Sequence, residues 1–130
     1  MNRTLRPAAR AIAALLNVGL ATPAFACSDV TFSFQNTTGS RILVNQVTLI
    51  NGTTGVVTVL PVLKQCLSGY TCATSAANLA PVAVGNAITG VQFQYQLWTF
   101  AGWGPNNLTA WYSPAIPQCV FHRDYGTWPI

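Results

Sequence analysis

The chain has 130 residues and a formal charge of +4, but Arg3, Arg6 and Arg10 lie in its first ten residues. The remainder carries only Arg41, Lys64 and Arg123 against Asp29 and Asp124, with no Glu and a single His, His122. Three scattered cations do not make the clustered basic surface that a nucleic acid requires. One His and two Asp leave no set with metal-ligand spacing, so no metal or cofactor is expected. A chain this rich in β-branched and aromatic residues is not disordered.

The N-terminal 26 residues read as a secretory signal. The three arginines form a basic start, residues 11–21 an apolar centre, and Ala24-Phe25-Ala26 the small-x-small pattern after which a signal peptidase cuts. The apolar run is shorter than the roughly 20 residues of a transmembrane helix, and polar residues, Gly and Pro interrupt every later one. Cleavage after Ala26 leaves residues 27–130 as a single β domain, secreted or periplasmic. Cys27 would then be the first mature residue, the place where a lipoprotein carries its lipid. Ala24 and Phe25 do not fit the lipobox pattern, however, and an even number of cysteines favours disulfides.

From there the hydrophobic period is two almost throughout. Val30, Phe32 and Phe34 share one face of the first strand, and residues 36–40 form a turn. Residues 41–50 make a long β-branched strand, bent midway. Asn51-Gly52 signals a hairpin into "VVTVL", after which Pro61 marks an edge or a strand end. Residues 73–87, rich in small residues, read as a loop. The clearest strand is "GVQFQYQLW", with Val91, Phe93, Tyr95 and Leu97 on one face and Gln92, Gln94, Gln96 and Trp98 on the other. "GWGPNN" reads as a turn, and "LTAWY" and "CVFHR" as two further strands. The whole predicts an all-β fold: a small antiparallel β-sandwich, or a barrel, of about seven to eight strands.

Cys27, Cys66, Cys72 and Cys119 allow three pairings. Cys66–Cys72, across a short Ser-Gly loop, and Cys27–Cys119, tying the first strand to the last, are the expected pair of disulfides.

Three functional readings follow. The near-absence of charge and the uncharged Gln92/Gln94/Gln96 strand suggest a surface or structural protein that acts by adhesion or self-association, that strand pairing edge to edge. The aromatics, absent from residues 35–69 and dense after Phe93, suggest a monomeric module for glycan or lipid. Trp98, Trp103, Trp111 and Tyr112 are its candidate contacts. Third is a small hydrolase in which Asp124 orients His122, two residues away on one strand face, beside a Ser or Thr nucleophile. Asp29 and Asp124 are also the only carboxylates that could form a catalytic pair, and the Cys27–Cys119 bridge would draw them together. No motif marks a nucleophile, so a non-enzymatic protein is the expectation.

Overall fold

The computed structural model describes residues 26–130, the side chains of residues 76–78, 80 and 81 excepted. Residues 1–25 of the expected signal sequence therefore lie outside the described residues. Seven strands follow in chain order: β1 (Ala26–Gln35), β2 (Ile42–Asn51), β3 (Val57–Cys66), β4 (Thr71–Ala83), β5 (Ile88–Thr99), β6 (Gly102–Leu108) and β7 (Asp124–Pro129). They form two sheets, ordered β4-β1-β7 and β3-β2-β5-β6. The protein is all-β, a sandwich closed by two disulfides. Its pairings are antiparallel except for β7, which returns parallel to β1.

The core follows from strand alternation. Val30, Phe32 and Phe34 of β1 point inward, as do Ile42, Val44, Val47 and Leu49 of β2 and Val91 and Phe93 of β5; all are fully buried. Phe34 and Phe93 meet at 5.6 Å between ring centroids and join one sheet to the other. Each such side chain is worth about 1.5–3 kcal/mol on leaving water. The inward set of β2 changes phase at Asn45, where the register slips between Val44 and Gln46 against both neighbours. This bulge is the predicted mid-strand bend.

Two buried asparagines fix the turns. The Asn36 amide nitrogen donates to the carbonyls of Ser40 and Cys66, while its oxygen accepts from the backbone and hydroxyl of Thr38. The Asn51 oxygen accepts from the backbone N–H groups of Thr53 and Thr54, so the Asn-Gly hairpin is an Asx-type turn.

Three sequence expectations need correction. Residues 73–87 are not a loop, for most of them belong to β4, the longest strand at 13 residues. Small residues carry little strand propensity, but β1 offers a partner for residues 71–78 and again at Ala83, and Leu79 and Val82 between them are buried in the core. Residues 102–107 are not a turn but most of β6. The turn is residues 99–102, and an edge strand tolerates Pro105. The strands expected at "LTAWY" and "CVFHR" are absent. Of the first there remain Leu108 in β6 and an isolated bridge from Tyr112 to Val91. The second is a loop held by the Cys119 disulfide and by backbone bonds from Cys119 to Gly85 and Asn86.

Both disulfides pair as expected, Cys27–Cys119 and Cys66–Cys72. They place the folded chain in an oxidising compartment, extracellular or periplasmic. With its sulfur bonded to Cys119, Cys27 has no thiol to carry a lipid. Among the described residues no helix is long and apolar enough to cross a membrane.

Candidate functional site

The Cys27–Cys119 bridge brings the polar residues of the last loop against β1, as the sequence suggested. Asp29, Thr31, His122, Arg123 and Asp124 line one shallow hollow of about 220 Å³. Its pairing differs from the expected one. His122 has a left-handed backbone, φ 56°, so it stands outside the strand and does not share a face with Asp124. Its Nδ1 meets the carboxylate of Asp29, itself at φ 56°. This contact is open to water, the side chains being 77% and 70% exposed.

Asp124 is engaged elsewhere. Its Oδ1 accepts from the hydroxyls of Thr31 at 2.7 Å and Ser33 at 2.8 Å, fastening the start of β7 to β1. The two nearby hydroxyls thus bond to Asp124, and among the described residues no Ser or Thr hydroxyl bonds to His122. A nucleophile within reach of an oriented base is the feature that hydrolytic chemistry needs. Nor does any group of three or more metal-binding side chains occur among the described residues.

The candidate aromatic contacts separate into two groups. Tyr112 packs on Phe93 and Trp128, at centroid distances of 6.4 and 6.2 Å, and its hydroxyl donates to the Pro129 carbonyl. Burial, with the Tyr95 phenol as a second cause, raises the Tyr112 phenol above its ordinary range. It closes the side of the sandwich. Trp111, half exposed, is its chain neighbour. Because Tyr112 bridges to Val91, seven positions before Trp98, Trp111 lies roughly 20 Å along β5 from Trp98.

Trp98 and Trp103 do come together. They face each other across the β5–β6 ladder with rings edge-to-face at 5.1 Å. The Arg41 guanidinium sits 5.7 Å from the Trp98 ring, and its backbone carbonyl accepts from the Trp98 N–H. Between the two tryptophans the chain reverses at residues 99–102. The Thr99 hydroxyl donates to the Gly102 carbonyl and accepts from the Ala101 N–H, and Gly102 takes the positive φ, 108°, that closes the turn. On this fixed turn Phe100 projects with a relative exposure of 111%, as open as in an unfolded peptide. Sequence reasoning missed Phe100 as a contact. The signal was there in "TFAG", four residues ending in Gly, the residue favoured at the last position of a type I turn.

Beside this tip, the outer face of the four-stranded sheet is lined with amides. The Asn45 amide nitrogen donates to Gln96 and Asn106, Gln94 donates to Asn45, and Gln96 donates to the Gly104 carbonyl. The Gln row faces outward as predicted, but its edge-to-edge role is corrected: β5 lies between β2 and β6 and has no free edge. Charge is distributed unevenly. Arg41 immediately precedes β2, and Lys64 pairs with Val44, three positions further on; both belong to the tip end. Asp29 lies six residues before the tip end of β1, and Asp124 pairs with Thr31, four before it.

No family model, curated protein or solved structure matches the chain.

Proposed function

We propose that the protein is exported, with its leader removed after Ala26, and acts as a non-enzymatic adhesive protein that attaches to lipid surfaces through the β5–β6 tip. The observation that carries this reading is Phe100, a large apolar ring held fully in water by a well-bonded turn. Such a ring has no walls around it to enclose a small ligand. What it can enter is a soft apolar phase. Trp98 and Trp103 at its base suit the headgroup level, where amphipathic rings are favoured. Arg41 and Lys64 lie toward the tip end, and Arg123 lies with the two carboxylates away from it, a distribution that leaves net positive charge near the tip and suits anionic headgroups. The Asp29–His122 pair, exposed and without a bonded hydroxyl, supports binding over hydrolysis.

The test is co-sedimentation of the oxidised protein with phospholipid vesicles, with and without anionic lipid. Burying one Phe is worth about 1.5–3 kcal/mol, so Phe100→Ala is expected to weaken binding by roughly ten- to a hundredfold while the fold is kept. Binding unaffected by Phe100→Ala, or no binding to any vesicle, defeats the reading.

A glycan is the second reading. It is favoured by the amides of Gln96 and Asn106 directly beside the Trp98–Trp103 pair, an arrangement that could hydrogen-bond hydroxyls under a stacked ring. Capture on glycan-coated beads, lost in Trp103→Ala and kept in Phe100→Ala, would select it.

A further inference from the structure

We infer that two copies of this chain associate by antiparallel pairing of β4 with β4, continuing the three-stranded sheet of one copy into that of the other. This goes beyond the attachment described above and rests on different residues.

A sheet edge presents a row of unpaired backbone donors and acceptors, which natural proteins blunt with charge, proline, bulges or brevity. The sandwich has four edge strands. β3 carries both Pro61 and Lys64. β6 has Pro105 at its centre. β7 is only 6 residues long, opens on Asp124 and ends on Pro129. β4 is different. It is 13 residues long, carries no charged residue, and its single proline, Pro81, lies near its C-terminal end. Residues 71–78 form eight consecutive positions with none of these devices, the register irregularity against β1 beginning after Asn78.

One side of β4 is paired with β1, and no strand pairs with the other side among the described residues. Its closest neighbour beyond β1 is β3, to which the Cys66–Cys72 bridge ties it. The two edges do not join. A hollow of about 170 Å³ separates Val62, Leu63 and Lys64 from Ala73, Thr74 and Ser75.

The occupant that fits this edge is a second β4. Antiparallel pairing about a two-fold axis brings the same strand against itself, so it needs self-complementarity, and an uncharged strand meets its copy without repulsion. The net charge of the described residues, three cations against two carboxylates, adds little to oppose it. With the centre of residues 71–78 between Thr74 and Ser75, the axis passes beside Ser75, whose side chain is exposed. Each chain has one β4, so the pairing closes at two chains. The pair would also carry two Phe100 tips.

The experiment is light scattering on the oxidised protein across a concentration series, with hydrogen exchange at the β4 amides. The expected result is a monomer–dimer equilibrium in which the protection of β4 amides rises with concentration. Ser75→Lys brings two ammonium groups close together across the axis and is expected to weaken the dimer by about tenfold or more, since like charges close together across paired strands are destabilising. Leu108→Lys, on the β6 edge already blunted by Pro105, is expected to leave it unchanged. Circular dichroism shows that both variants keep the fold. A concentration-independent monomer, open-ended oligomers, or a dimer indifferent to Ser75→Lys would each overturn the inference. The hydrogen-exchange arm decides the matter on the unaltered protein, so it stands even if a variant fails to fold. Because dimer formation is read by light scattering in the absence of vesicles and Phe100→Ala leaves β4 untouched, each proposal can fail without the other.

Discussion

At the scale of single residues, what distinguishes this protein is how it handles uncharged polar groups. Asn36, fully buried, satisfies its amide with four bonds and so substitutes for several turn contacts at once. Thr58 is the opposite case. It faces inward from β3, is buried, and its hydroxyl has no partner among the described residues. An unsatisfied buried hydroxyl costs about 1–3 kcal/mol. Thr58→Val, of the same shape, should therefore stabilise the fold by about 1 kcal/mol and raise Tm by several degrees in a domain of this size. Thermal denaturation checks it, and a lowered Tm would mean that the hydroxyl does find a partner. The roles of Asn36 and Thr58 had different legibility. An Asn opening a turn is readable from "NTTGS", whereas an orphaned hydroxyl depends on which neighbours a strand meets.

At the scale of elements, the two disulfides do unequal work. Cys27–Cys119 spans a sequence separation of 92 and Cys66–Cys72 one of 6. In the loop-entropy account these closures restrict the unfolded chain by about 4–5 and about 2–3 kcal/mol. Replacing Cys27 and Cys119 together by Ser should thus lower the urea midpoint clearly more than replacing Cys66 and Cys72. The long bridge also holds the 119–123 loop against β1, so its loss should release the Asp29–His122 pair as well. Equal losses from the two double variants would show that the short bridge has a further role in joining β3 to β4. The strands that were legible in the sequence, β1, β2 and β5, are those whose alternating residues face one well-filled core. β4 and β6 were not, because an Ala-rich run and a Gly-Pro-Asn run become strands only when a partner of matching length lies beside them.

At the scale of the whole molecule, the distribution of charge matters more than its amount. With Arg41 and Lys64 toward the Phe100 end, and Arg123 beside the two carboxylates away from it, the excess positive charge sits near the tip although the net charge is small. A Lys or Arg near an anionic bilayer contributes about 1 kcal/mol, so binding to anionic vesicles should exceed binding to neutral ones by up to about thirtyfold. Added salt should remove that excess and leave the aromatic part. Vesicle titration at two ionic strengths checks this, and equal binding to both lipids would remove the cations from the account.

The sequence by itself determined the β class, the inward faces of the clearest strands and the lack of charge, because each depends on local alternation or on composition, and it left three disulfide pairings of which the expected one is found. Only the tertiary structure decided the rest. It placed the Gln92–Gln96 strand inside a sheet and left β4 at an edge. It paired His122 with Asp29 instead of Asp124, and it set Trp98 against Trp103 with Phe100 exposed between them. The reason is common to all of these. Which strand lies at an edge, and which side chains from distant segments meet, follow from the order in which strands pair, and that order is a property of long-range packing that no local pattern of residues contains.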